Sequence, residues 1–455
     1  MLRANSQLRN SLSQEAVDFL EHAAGAIERI LPHVEVDPWR EGPWLSAESV
    51  WATSRRTQIR ATISVDNGNT DPSRSFTTAV RRRHVPVVRQ AAGQTLDPRE
   101  FDICKLVVLT ASRLMQSPTT AWQLPFSQAV LEGFDESIVA LHLTAHHNFK
   151  APLGRVLAAL HTLSEQSYEN KSLTFGCIVE EDTTGPKESS LFPREYLTSK
   201  KYKALSDGYR TAYRVSSDGK MTGFVDLERL DIRPLTEKHF YPAWAERIAR
   251  ASRYGRCGIA LSRHGDILVF EEGSLRFTYR YGKWQYWNHA HILKLLRDRA
   301  KAQRVPPKIL GRVVSAVYRA ALDISFRRSG GLFLILHNRG SLGKVVRKGD
   351  AIEDNKRGKT DSDFDAVLAE HKIQALPRPV LVELASLDGA IVIANSGQLL
   401  AYGAVLHPLR PGRLRAAEGS RTKAAIGASN YGLTIKVSAD GDITVYYSGR
   451  EFIRI

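Results

Sequence analysis

Apolar residues recur at helical spacing over residues 11–32, where Val17, Leu20, Ala24, Ile27 and Ile30 share a face and Ser13 is placed to cap them. The same period returns over 99–116, 136–147 and 152–166. Two turn-rich stretches, WREGPW (39–44) and DNGNTDPSRS (66–75), interrupt it. Together they predict a mainly helical N-terminal region, residues 1–168. From about residue 170 the period becomes two. LTFGCIVEE (173–181), GYRTAYRVSSDGKMTGFVDL (208–227) and GIALSRHGDILVFEEGSLRFTYRYGKWQYW (258–287) read as strands joined by DG, HGD, EGS and YGK turns. They define a β-rich region over 169–300.

A basic linker ending at Pro306-Pro307 leads to a last unit, 305–455. It opens on an amphipathic helix, 308–328, with Ile309, Val313, Val317, Ala320 and Ile324 on one face. A Gly-Gly break, strand GLFLIL (331–336), a polar excursion (337–363) and a helix over 364–376 follow. Next come VLVELASL, strands AIVIA and LLAYGAVL, the loop and helix of EGSRTKAAIGAS (418–429), and a terminal pair LTIKVS and DITVYY around the turn ADGD. Alternating helices and strands predict an α/β fold with a mixed sheet, preceded by the β-rich and helical regions.

Composition narrows the function classes. With 43% hydrophobic and 25% charged residues over 455 positions, the chain has the balance of a globular protein. No apolar run reaches membrane-span length, and the N-terminus lacks an apolar signal core. Cys104, Cys177 and Cys257 are too few and too scattered for a disulfide framework or a zinc site, so a reducing cytoplasm is the expected location and no membrane partner is expected. The net charge is +16. It is spread along the chain, and from residue 305 onward 22 Lys and Arg face 14 Asp and Glu. A nucleotide suffices as partner for that excess, and nucleic acid stays open but is not favoured.

Three features of the last unit carry chemistry. Asp388-Gly389-Ala390 heads a strand, where an acid can hold a divalent cation or take a proton and glycine admits a ligand to the backbone. Alone, DGA is common, and an acid ending a helix with a glycine turning the chain is the plainer explanation. In the loop before Ala424, Arg421 and Lys423 stand at a helix entrance that already favours anions, with Ser420 placed to cap it. A capped surface helix with two solvated cations is the plain alternative. Asp440 and Asp442 lie in the last turn, where acids are ordinary turn formers.

The order of these features resembles the diadenylate cyclase domain of the DNA-integrity-scanning type, across roughly 305–455. RAALDISFRRSGGLFLIL matches the family's amphipathic helix and first strand, and Asp388, Gly389 and Ala390 match its DGA motif. Gly419, Ser420, Arg421, Thr422, Lys423, Ala424, Ala425, Ile426, Gly427, Ala428 and Ser429 match its Gly-Thr-Arg-His-Arg-Ala-Ala-hydrophobic-Gly-x-Ser stretch, and a hairpin closes the unit. The resemblance implies that two ATP molecules condense to cyclic di-AMP in a face-to-face homodimer or higher homo-oligomer. In it each ribose 3′-hydroxyl attacks the other nucleotide's α-phosphate. It implies Mg²⁺ or Mn²⁺ on Asp388, with Asp440 as second acid, a triphosphate held by Arg421 and Lys423, and a nucleotide bound along Gly389, Ala390 and 419–423. The chain departs from the family at Arg421-Thr422-Lys423 for Arg-His-Arg, at Leu387 for a frequent histidine, and at Ser438-Ala439-Asp440-Gly441 for Ser-Glu-Glu-Thr-Gly. A nucleotide-binding sensor without turnover is therefore the alternative.

The β-rich segments resemble, more faintly, sensor regions fused ahead of divergent cyclase domains. Trp284, Trp287, Tyr279 and Tyr281 could line a pocket there, and core packing is the favoured reading. HHNFKAPLGRVLAAL (146–160) has the spacing of a histidine-kinase phosphoacceptor box around His147. No ATP-binding catalytic domain follows, so His147 is expected on an ordinary surface beside a helix start after Pro152. His142 and His146 lie one helical turn apart without a third metal ligand and stay unassigned. Lys344, Arg347 and Lys348 are expected in a solvated loop.

Overall fold

A computed structural model describes residues 14–36, 40–42, 58–65, 74–82, 96–116, 133–149, 153–168, 171–181, 206–216, 220–230, 232–301, 305–352, 368, 371–407 and 419–455. The chain divides into two units, Met1–Pro234 with Arg247–Trp287, and Leu235–Glu246 with Asn288–Ile455. The fold class is mixed α/β.

Unit 1 begins with helix α1 (Gln14–Ile30) and strands β1 (Val34–Val36), β2 (Arg40–Gly42), β3 (Gln58–Val65) and β4 (Arg74–Arg82). These strands form an antiparallel sheet centred on β4, absent from the helical expectation for this region. Helices α2 (Pro98–Gln116), α3 (Phe134–His147) and α4 (Gly154–Ser164) follow, close to the predicted spans. A two-residue pair, β5 (Ser167–Tyr168) and β6 (Lys171–Ser172), precedes the main sheet. That sheet comprises β7 (Phe175–Glu180), β8 (Thr211–Ser216), β9 (Met221–Asp226), β10 (Cys257–Leu261), β11 (Ile267–Glu271), β12 (Ser274–Arg280) and β13 (Lys283–Tyr286), with helix α5 (Glu246–Ala251) before β10. Its order is β13-β12-β11-β10-β7-β8-β9, and only the β7–β8 pair is parallel. One core joins helices and sheet: Leu20, Ile27, Val107, Ile138 and Leu157 belong to the same buried cluster as Cys177, Ile259, Val269 and Phe277. Trp284 and Trp287 are buried, and Trp287 Nε1 donates to Thr278 Oγ1 at 3.0 Å, so both tryptophans are core, whereas Tyr281 is exposed.

Unit 2 contains helix α6 (His289–Ala300), helix α7 (Pro307–Arg327), strand β14 (Gly331–Leu336), helix α8 (Arg378–Ser386), strands β15 (Ala390–Ala394) and β16 (Leu399–Ala404), helix α9 (Ser420–Ala428), and strands β17 (Gly432–Val437), β18 (Ile443–Tyr447) and β19 (Arg450–Arg454). The sheet order is β16-β15-β14-β17-β18-β19, with β14 and β15 parallel and every other pair antiparallel. Every residue of β14 and β15 is buried, as expected of strands covered on both faces. Leu332, Leu334 and Leu336 pack with Ala425, Ile426 and Ala428 of α9, while Gly331 lies against Ile324 of α7. Residues 371–376 form turns rather than the expected helix, since Ile373 bonds across to Gly397; most of 364–370 lies outside the described residues.

The segment 235–246 is fastened within unit 2 by one ion pair. Asp323 of α7, 3% exposed, accepts from Arg378 Nε at 2.7 Å and Nη2 at 2.8 Å and from the Ala243 N–H at 2.6 Å. Arg378 also donates to the Tyr241 carbonyl and lies over the Tyr241 ring. Burial raises the Asp323 pKa and outweighs the lowering effect of Arg378. The arginine is thus what makes a buried carboxylate tolerable there.

Candidate functional site

The N-terminal end of the parallel pair β14/β15 is where the predicted site residues meet. Asp388 ends the connection from α8, and Gly389 turns the chain into β15 at φ 112°. A Cβ on Gly389 would stand 2.4 Å from the Gly403 carbonyl carbon, so β16 crosses too closely for any side chain. The Asp388 side chain itself is 99% exposed. Ala390, the first residue of β15, is buried.

Helix α9 delivers the cation. Arg421 Nη2 donates to Asp388 Oδ1 at 2.9 Å across a separation of 33 residues. The other side of the guanidinium rests on the Gly-Gly turn into β14: a Cβ on Gly330, at φ 72°, would lie 3.0 Å from Arg421 Nη1. The same spot is 3.7 Å from the Val437 carbonyl and 3.8 Å from the Ala439 N–H. Gly330 therefore makes the space that Arg421 occupies. In the sequence, Ser329-Gly330-Gly331 is legible only as a break before a strand, with nothing to tie it to a cation far along the chain.

The other members of the predicted set are placed as follows. Ser420 does not cap α9. It is the first helical residue, the cap is Gly419 with φ −65° and ψ 162°, and among the described residues no side-chain cap bond is made. A residue already in helical conformation cannot turn its hydroxyl back onto the N–H groups that follow, which is why the expectation fails. Thr422 Oγ1 accepts from Lys436 Nζ at 2.9 Å, a partner on β17 that sequence reasoning missed. Lys423 is exposed and lies two residues beyond Arg421, about 200° round the helix. Arg421 and Lys423 therefore leave α9 in different directions, and the structure joins only Arg421 to Asp388. Asp440 is exposed on the turn Ser438–Asp442, which follows β17 at the same end of the sheet. That turn is held by Asp442 N–H to Ser438 Oγ at 3.1 Å and by Ser325 of α7 donating to the Gly441 carbonyl.

The arrangement offers one hard carboxylate oxygen donor, one guanidinium and a helix N-terminus that, among the described residues, has no side-chain cap. Among the described residues, no group of three or more His, Cys, Asp or Glu could hold a metal ion. The donor set therefore fits a cation shared with phosphate oxygens, as Mg²⁺ is commonly bound, and does not fit a preformed protein cage. Lys344, Arg347 and Lys348 are exposed.

A second concentration of charge lies in unit 1. Glu271, at the end of β11, is fully buried and accepts from Arg99 Nη1 and His147 Nε2, each at 2.7 Å, with His146 Nε2 at 3.8 Å. Burial alone would raise its pKa, but the His147 hydrogen bond and the Arg99 charge bring it down to about 2. The His147 side chain is 4% exposed, which corrects the surface position expected for it: the buried carboxylate draws the ring inward. His142 is also buried, its Nε2 has no hydrogen-bond partner among the described residues, and burial pushes its pKa down to about 4 against the pull of Glu271.

No family model and no curated protein matches the chain. Among solved structures, a hypothetical membrane spanning protein from Bacillus cereus is 20% identical over 30% of this chain and 61% of its own, with a TM-score of 0.23. DacA from Staphylococcus aureus, in a double-mutant form, is 22% identical over 31% of this chain and 87% of its own, also with a TM-score of 0.23. The chain thus spans less than two thirds of the first of these, and at such scores neither likeness carries an argument. Among the described residues, no helix is long and apolar enough to cross a membrane.

Proposed function

We propose that unit 2 is a diadenylate cyclase-like nucleotidyltransferase domain that condenses two ATP into cyclic di-AMP, with unit 1 as its regulatory region. The observation that supports this reading is the meeting of Asp388 and Arg421 at 2.9 Å beside the N-terminus of α9. An acid that can take a hydroxyl proton or share a cation, a guanidinium that can hold phosphate oxygens, and oriented N–H groups are the parts phosphoryl transfer needs. Arg421 would hold the triphosphate and offset charge on the departing pyrophosphate, Lys423 would add charge at the entrance, and Gly389 would let the nucleotide approach β15. Mg²⁺ or Mn²⁺, held by Asp388 with phosphate oxygens and with Asp440 as the second acid, would polarise the phosphate when bound. In a face-to-face homodimer each subunit would bring the 3′-hydroxyl that the other nucleotide needs.

The same ion pair supports a second reading, a nucleotide-binding sensor without turnover, because it engages the acid with a guanidinium. Purified chain incubated with ATP and Mn²⁺, its products resolved by mass, separates the two. Cyclic di-AMP that disappears with Asp388→Ala is the expected result. Saturable ATP binding with no dinucleotide would overturn the cyclase reading in favour of the sensor.

A further inference from the structure

We infer that the chain carries one fold twice: the main sheet of unit 1 repeats the sheet of unit 2, without its acid. Read from the outer strand, β9-β8-β7-β10-β11-β12 matches β16-β15-β14-β17-β18-β19 in order and in every strand direction, and among the described residues unit 1 adds only β13 to its sheet. In each, a helix precedes the first strand, the second strand runs parallel to it, and the chain then crosses to the other side through a helix.

The register agrees as well. Cys177, third in β7, pairs with Tyr213 on the parallel side and Ile259 on the antiparallel side. Phe333, third in β14, pairs with Ile391 and Ile435 in the same way. Three residues beyond Ile259 stands Ser262, and three beyond Ile435 stands Ser438; both open the same turn. Ser262 N–H donates to the Asp266 carbonyl at 2.8 Å and Ser438 N–H to the Asp442 carbonyl at 3.0 Å. The Asp266 and Asp442 N–H groups each return to the serine Oγ at 3.1 Å.

A side-chain clasp is shared too. Ser252, just after α5, donates Oγ–H to the Ala249 carbonyl at 2.7 Å and accepts from the Gly273 N–H at 3.2 Å. Ser429, just after α9, donates to the Ile426 carbonyl at 2.7 Å and accepts from the Gly449 N–H at 2.9 Å. The clasped turns have matching positive φ, 48° and 77° at Glu272-Gly273 and 50° and 74° at Ser448-Gly449. Sheet topology alone can recur by chance. A common register, a common turn and a common serine clasp together point to duplication.

The copies differ where the site lies. Three residues before Tyr213 is Arg210, and three before Ile391 is Asp388, so a cation replaces the acid. The loop leading to Arg210 is also filled from within: the Asp207 carboxylate accepts the N–H groups of Tyr209, Arg210 and Thr211 at 2.8, 2.7 and 3.0 Å. A phosphate would have to displace that carboxylate. Unit 1 is therefore a silent copy, and the chain has one nucleotide site where the repeated fold would give two. The stoichiometry rests on the reading of unit 2 given above; the duplication does not.

Residue-resolved hydrogen exchange of the full chain tests the duplication. Ser252→Ala should speed exchange of the Gly273 amide about ten-fold or more, and Ser429→Ala should do the same for Gly449, each leaving the other turn unchanged. Loss of protection at Gly449 with Gly273 unmoved would overturn the equivalence. Binding of a non-hydrolysable ATP analogue with Mn²⁺ to the unsubstituted chain tests the silence of unit 1 without any variant that must fold. One nucleotide per chain, lost with Asp388→Ala and kept with Arg210→Ala, is expected. Two per chain would overturn the inference, whereas none would sink the nucleotide reading of unit 2 and leave the exchange result to decide the duplication.

Discussion

Arg421 and Asp388 form an ion pair at 2.9 Å in which the acid is 99% exposed and the cation 46% exposed. An exposed pair of this kind contributes little to folding, typically under about 1 kcal/mol. Its position, at the head of β15 and beside the Gly330 turn, is where the proposed cyclase reading puts its chemistry, so stability and turnover should respond to it separately.

That argument gives the first prediction. Asp388→Asn and Arg421→Ala should each change the unfolding free energy by less than about 1 kcal/mol. Each should also lower dinucleotide synthesis by about two to four orders of magnitude. Denaturant titration and a timed product assay on the same preparations check both. Large destabilisation with turnover intact would make the pair structural.

Gly389 makes a sharper case, because its freedom is needed by geometry. Gly389→Ala would force a Cβ against the Gly403 carbonyl carbon at 2.4 Å while holding φ at 112°. The expected cost is at least about 1–3 kcal/mol, and the carboxylate of Asp388 moves with the backbone. Both stability and turnover should fall, in contrast to the variants of Asp388, as a denaturant midpoint and a product assay would read.

The elements that the sequence hid show what pattern reading needs. GLFLIL and AIVIA are legible because both faces of β14 and β15 are buried, so every position is apolar. Helix α6 reads as a basic linker because Lys294, Arg297 and Asp298 crowd its exposed side, although Ile292, Leu296 and Ala300 are buried at four-residue spacing. Strand β3 was hidden likewise: RRTQIR reads as a charge run, yet Ile59, Ala61, Ile63 and Val65 alternate along the sequence from there. At the site, the types and order of Asp388, Gly389 and Arg421 were readable. Their contact was not, because it depends on β15 and α9 being brought to one end of the sheet. The serine clasps are illegible in the sequence for the same reason, since Ser252 and Gly273 are joined only through tertiary structure.

Arg378 should behave as a structural residue. Arg378→Ala would leave Asp323 buried without its guanidinium partner, at a cost of about 3–5 kcal/mol. The paired replacement Asp323→Leu with Arg378→Met removes both charges and should recover much of that loss. Equilibrium denaturation of the three forms checks it, and a double variant no better than Arg378→Ala would show that the hydrogen bonds to Tyr241 and Ala243 matter more than the buried charge.

Acid should weaken unit 1 in two steps with a defined sign. His142, whose pKa burial pushes down to about 4, stays neutral in the folded chain while an unfolded histidine takes up a proton near pH 6.5. Between those values the unfolded state binds more protons, so stability falls as pH is lowered from about 6.5 to 4. Glu271 acts next. Its folded pKa of about 2 lies below that of an unfolded glutamate near 4.3, so its contribution is present above that value and is lost as pH falls through this window. The groups facing these two are Arg99 from α2 and His146 and His147 from α3. His142→Phe, which also keeps a ring beside Phe277, should reduce the slope between pH 6.5 and 4, leaving the part contributed by His146, whose pKa burial also lowers, and the lower step in place. Denaturant unfolding followed at half-unit pH intervals reads both. An upper slope unchanged in His142→Phe would assign the acid sensitivity to another group.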